Sequence, residues 1–103
     1  MAQFDVYANP VKDMEGGAPF VVDVQSEQLA GLPTRMIVPL ATLDDFQPLR
    51  HLNPLIEIDG QRLALMIQFM AAVPRHILDH PVTNLANRRN DIVAALDFLF
   101  TGI

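Results

Sequence analysis

Apolar and polar residues alternate at the start of the chain. Over Gln3 to Tyr7, Phe4 and Val6 fall on one side of an extended segment and Gln3, Asp5 and Tyr7 on the other, the period of two that a half-buried strand requires. β-Branched runs over Phe20 to Gln25 and Thr34 to Leu40, separated by Gly31 and Pro33, predict two more strands. Leu55 to Ile58 and Gln61 to Met66 flank Asp59-Gly60. That dipeptide suits the positive φ angles of a type I′ turn, so the two segments predict a hairpin. About five strands in meander order point to an antiparallel sheet or a small barrel.

The pattern then changes. Leu63, Leu65, Ile67 and Phe69 share one face of the last strand, while Ala64, Met66 and Met70 share the other with only Gln68 among them. Both faces read as buried, either within one chain or with one face against a helix or a second subunit. An irregular section follows Pro74 and runs to Pro81, and a single long helix is predicted over Asn84 to Phe100. Leu85, Ile92, Ala95 or Leu96, and Leu99 form its core stripe. Val93, Leu96, Phe100 and Ile103 form a second stripe, which one sheet does not need, and which runs into the closing Phe100-Thr101-Gly102-Ile103. An apolar residue after a terminal glycine suggests a destination on another surface.

Composition narrows the class. One domain over 1–103 with half of its residues apolar can bury a core and still leave surface for self-association, so a homodimer is expected. The absence of cysteine removes thiol catalysis, thiolate metal sites and disulfides. The longest apolar stretch, Leu63 to Val73, is about half of what a bilayer crossing needs. The first residues lack the basic start and apolar region of a secretory signal, so no membrane partner and a cytoplasmic location are expected. A net charge of −5 opposes direct binding of nucleic acid, and Arg88-Arg89 is more simply a solvated helix face than a phosphate clamp. The stretch holding Pro10, Gly16, Gly17 and Pro19 with Lys12, Asp13 and Glu15 reads as an exposed loop or a partner site.

Little in the chain suggests catalysis. His76 and His80 have a spacing that suits zinc on a helical turn, but Pro74 and Pro81 bracket them and no third ligand is evident. Asp44-Asp45 and Glu57/Asp59 are poor acid/base pairs, because neighbours on a loop or strand diverge and Asp59 already serves its turn. No Ser/His/Asp triad, phosphate loop or dinucleotide fingerprint is present, so no cofactor and no catalytic or metal-binding residue is assigned.

A resemblance covers the whole length. Gln3-Phe4 with Val6-Tyr7, Phe20 followed by Asp23-Val24-Gln25-Ser26, Arg35-Met36 leading to Pro39-Leu40, Val73-Pro74, Asn90-Asp91-Ile92 and the final Gly102-Ile103 resemble, in order, the CcdB family of bacterial toxins. The resemblance implies an SH3-like, five-stranded antiparallel barrel or sheet with a C-terminal helix, shared with MazF, and a homodimer. It also implies a poison that traps DNA gyrase on cut DNA through the A subunit and performs no covalent chemistry itself. A CcdA-like antitoxin, folding a disordered segment onto the toxin, would neutralise it, and the pair would touch DNA only through the antitoxin to repress its own operon.

The implied gyrase contacts are Phe100, Gly102 and Ile103, with Thr101 where the family has Trp and Asp97 where it has Asn. Gln28 and Leu29 occupy the corresponding loop, Gln28 being polar where the family is apolar. Antitoxin contacts are expected in the Ala8 to Gly17 loop, at Asn9 and Lys12, although its sequence differs from the family's basic version, and around Arg88 and Arg89. Two other readings stand beside this one: a MazF-like endoribonuclease, which would want a more basic groove than this acidic chain offers, and an inactive dimeric remnant that only co-represses with an antitoxin.

Overall fold

The computed structural model describes residues 2–10, 17–44 and 47–102. Its strands are β1 (Asp5–Ala8), β2 (Phe20–Asp23), β3 (Thr34–Ala41), β4 (Leu55–Ile58), β5 (Gln61–Leu65), β6 (Ala71–Pro74) and β7 (Thr83–Asn84), followed by the helix α1 (Arg89–Thr101). The class is the expected one, a curled antiparallel half-barrel with a C-terminal helix, but among the described residues the strands number seven rather than five. Asp59 and Gly60 have φ of 51° and 79°, so the β4–β5 turn has the positive angles its sequence demands.

β3 is the spine of the sheet. The order is β4-β5-β3-β2-β1-β7, and β6 pairs with β3 as well. β6 lies along Thr34 to Ile37 of β3, whereas β5 lies along Leu40 and Ala41, so the two share one edge in succession. Pro39 falls at the changeover. Its carbonyl accepts from the Met66 N–H at 2.8 Å, so its nitrogen, which has no proton to donate, faces the same edge where neither strand needs one.

The extra strands correct two expectations. The period of two from Leu63 does not persist to Phe69, because a 3₁₀ turn over Ile67–Phe69 lifts the chain off β3 before β6 returns to it. Phe69 is left 62 % exposed. The helix starts at Arg89, five residues later than Asn84. Asn84 pairs with Asp5 in the sheet, its Nδ2 donates to Asp5 Oδ1 (2.8 Å), and its Oδ1 accepts from Ala86 N (2.7 Å), turning the chain into a 3₁₀ segment before the helix.

One face of the sheet packs on α1: Val6, Val22, Val38, Leu40, Leu63 and Leu65 join Ile92 and Ala95 in the main core. Val93, read in the second stripe, and Leu96, read in either stripe, pack against this core, while Leu99, read as core, is exposed. Ala64 and Met66 pack with Ala18 and Ala41 on the opposite side of β5, so both faces of that strand are buried within one chain. On the outer face of β1, β2 and β3, Tyr7, Val21 and Ile37 form a smaller cluster closed by Leu78.

Candidate functional site

The helix end is built by its last residues. Gly102 takes φ 73°, and its N–H donates to Phe98 O at 3.0 Å, the single-bond left-handed cap that terminates an α-helix. A side chain at Gly102 would meet no neighbour, so glycine is required there by the backbone and not by space. Thr101 Oγ1 donates to Asp97 O at 2.7 Å, folding the hydroxyl back onto the helix. Phe100 is 69 % exposed, and Phe98, Leu99 and Asp97 are exposed beside it. Ile103 lies outside the described residues.

The loop expected to join this surface sits elsewhere in the chain. Gln28 and Leu29 belong to the 3₁₀ turn Glu27–Leu29, capped where Ser26 Oγ accepts from Gln28 N, and both are exposed. Gln3 ties this turn to the start of the helix: its N–H donates to Glu27 Oε1 and its Oε1 accepts from Arg89 Nη1. The bonds therefore reach the end of α1 opposite to Gly102, about 18 Å away along a helix of 13 residues. One chain does not unite the two halves of the expected gyrase surface.

The expected antitoxin contacts are also divided. Arg88 donates from Nε to Asp91 Oδ2 and from Nη1 to Leu55 O, both at 3.0 Å. Arg89 lies over the Phe4 ring, 5.8 Å from its centroid. Asn9 is beyond the far end of β1, where its Nδ2 donates to Ala18 O. Lys12 lies outside the described residues, as does Asp45 of the Asp44-Asp45 pair. His76 and His80 are exposed, and among the described residues no three histidine or carboxylate groups gather as metal ligands. No helix among the described residues is long and apolar enough to cross a membrane.

Two features were missed at the level of sequence. Arg35 and Asp23 form a fully buried ion pair, with Arg35 Nε and Nη2 both 2.7 Å from Asp23 Oδ2. Gln25 N donates to the other oxygen at 3.0 Å. Desolvation still pushes the Asp23 carboxyl above its ordinary pKa, outweighing these donors. Beside it, burial and the Asp5 and Asp23 carboxylates push Tyr7 up to about 12. An aspartate inside Val21-Val22-Asp23-Val24 was the available signal, since a charge within an apolar run demands a partner. The second feature is a groove between α1 and the turn before β4.

The sequence model of the family described as CcdB protein matches residues 3–102 of this chain.

Proposed function

Because the chain belongs to the CcdB family, the toxins of type II toxin–antitoxin pairs, we propose that it binds the A subunit of DNA gyrase and holds the enzyme on cleaved DNA. The observation that carries this reading is the helix end. An exposed aromatic, Phe100, stands in the last turn of the helix beside a glycine whose left-handed φ caps it. Surface of that kind stabilises nothing in the isolated chain and suits a partner. The toxin acts by binding one state of gyrase better than the others, which shifts the population toward it, so it needs no catalytic group of its own.

The turn at Gln28 and Leu29 joins this surface through a homodimer, in which the helix end of one copy lies beside the turn of the other. A CcdA-like antitoxin is the neutralising partner, operon DNA is reached only through it, and both interactions belong to the cytoplasm. The test is a cleavage assay with gyrase, ATP and supercoiled plasmid, stopped with detergent and protease. Linear DNA that disappears with Phe100→Ser is the expected result. No linear DNA at saturating protein, with RNA cut in a parallel reaction, would replace this reading with the endoribonuclease.

A further inference from the structure

Two side-chain polar atoms, Tyr7 Oη and Arg35 Nη1, are buried without a hydrogen bond among the described residues. The alternation of the strands brings them to one place. Tyr7 on β1, Asp23 on β2 and Arg35 on β3 all point to the outer face of the sheet, and Tyr7 pairs with Val21, one same-face step from Asp23. The phenol is close enough to Asp5, Asp23 and Arg35 for all three charges to act on it. Their cover is a single segment, which crosses from β3 to β1 between β6 and β7. Arg75 N donates to Pro33 O at 2.9 Å at one end of it, and Val82 N to Val6 O at 2.7 Å at the other. Within this segment only Leu78 is buried, among Tyr7, Val21 and Ile37.

The chemistry of the two atoms selects what joins them. A guanidinium nitrogen can only donate, whereas a phenol oxygen donates one proton and accepts at two lone pairs. Arg35 Nε and Nη2 are spent on Asp23 and Gln25, so Nη1 is the donor that still needs an acceptor. Neither atom bonds to the other. A metal cation cannot accept from Nη1. An anion could, but it would face the carboxylates of Asp5 and Asp23 with one guanidinium to hold it. Water accepts, donates and carries no charge. Buried waters make about three hydrogen bonds to polar groups that the protein leaves unpaired. Asp5 supplies a third partner, because its two oxygens take one donor each, Ala2 N and Asn84 Nδ2, and keep lone pairs free.

We propose that one water molecule is bound between Tyr7 Oη and Arg35 Nη1, shut in by Leu78, as a fixed part of the outer face. It accepts from the guanidinium and bonds to the phenol hydroxyl. A continuous polar chain then runs from Tyr7 through the water to Arg35, Asp23 and Gln25, and joins β1 to β2 and β3 where these side chains do not reach each other. The site is independent of the helix end and of the toxin's target.

The test pairs a crystal structure of the native protein with urea unfolding of native protein and Tyr7→Phe at equal concentration. Phenylalanine keeps the ring and removes the hydroxyl. Expected in the native crystal is one discrete oxygen peak within hydrogen-bond distance of both Tyr7 Oη and Arg35 Nη1, without the anomalous signal of a chloride. Tyr7→Phe should have a lower urea midpoint, since it takes a partner from the water that serves Arg35. Were Oη without any partner, removing it would raise the midpoint instead, because a buried unpaired hydroxyl is a penalty. A midpoint of Tyr7→Phe equal to or above native would overturn the proposal. So would a native crystal in which Oη bonds directly to Asp5 or Arg35 with no peak between them, or in which the peak is an anion. If Tyr7→Phe does not fold, the native crystal decides by the same criteria.

Discussion

Charge is buried on the outer face of the sheet and aromatic surface is exposed at the end of the helix, and the two departures from ordinary partition differ in kind. Asp23 and Arg35 have no exposed side-chain surface, yet each neutralises the other's charge and Gln25 completes the carboxylate, with only Arg35 Nη1 left without a hydrogen bond among the described residues. Phe100 is 69 % exposed, and nothing among the described residues covers it further. The first is compensated within the molecule and is therefore structural. The second is uncompensated among the described residues, and is the surface that the proposed gyrase contact would cover.

The largest effect expected from breaking this contrast is at the ion pair. Arg35→Ala leaves the Asp23 carboxylate buried without its cation, and should cost about 3–5 kcal/mol in urea unfolding. Asp23→Leu with Arg35→Met should recover most of that loss, because an apolar pair of similar volume pays no desolvation. A single variant as stable as the native protein would show that water reaches the carboxylate.

The pH dependence sharpens the same point. The folded Asp23 carboxyl is raised above its ordinary value of 3.8, so as pH falls from neutral the folded state takes up this proton before the unfolded state does. Acidification thus favours folding through Asp23 until pH passes below 3.8. Urea midpoints of the native protein against the double variant read this directly. Tyr7 acts at the other end of the scale. It is the only tyrosine and tryptophan is absent, so phenolate absorbance reports it alone. Its Oη is buried and, among the described residues, accepts or donates no hydrogen bond. Above 10 the unfolded chain loses the phenolic proton while the folded chain keeps it to about 12. Stability should fall by about 3 kcal/mol across that interval. Ordinary titration near 10 in a protein that is still folded would contradict the burial.

The sheet was legible wherever local chemistry and tertiary packing agreed. The β4–β5 hairpin was found with only its last residue misplaced, Met66 for Leu65, because Asp59-Gly60 fixes both the turn and the register. β7 has two residues and both are exposed, so no period exists to detect. It forms because Asn84 bonds to Asp5, a contact 79 positions away in the chain. The Leu63 to Phe69 alternation misled because β5 is buried on both faces, and buried composition does not show where a chain turns off its neighbour. The helix-end residues were singled out through a resemblance in sequence, while the left-handed cap at Gly102 showed only in the structure. The groove between α1 and the turn before β4 was not, since His51 and Phe98 meet only after the sheet has curled.

Exposed aromatics give a smaller effect on stability and a larger one on recognition. Phe100→Ser should leave the urea midpoint within about 0.5 kcal/mol of native. It should weaken gyrase binding by about 30-fold, the loss of an aromatic anchor. A large loss of stability would mean that Phe100 is covered in the assembled protein by its own copy, and its exposure would then report dimerisation more than gyrase.

The smallest expected effect falls on the neighbouring residue. Thr101 spends its hydroxyl on the Asp97 carbonyl within the last turn of the helix, so it offers gyrase only a methyl group. Thr101→Trp gives up that one exposed bond and presents an indole on which a guanidinium can stack, worth about 1 kcal/mol or somewhat more once water is excluded. Helix content should not change, because the left-handed cap belongs to Gly102 and its N–H to Phe98 O. Gyrase affinity should therefore rise about tenfold, read by titration with the A subunit. Unchanged affinity would place position 101 outside the gyrase contact and leave Phe100 to carry the proposed recognition in the last turn of the helix.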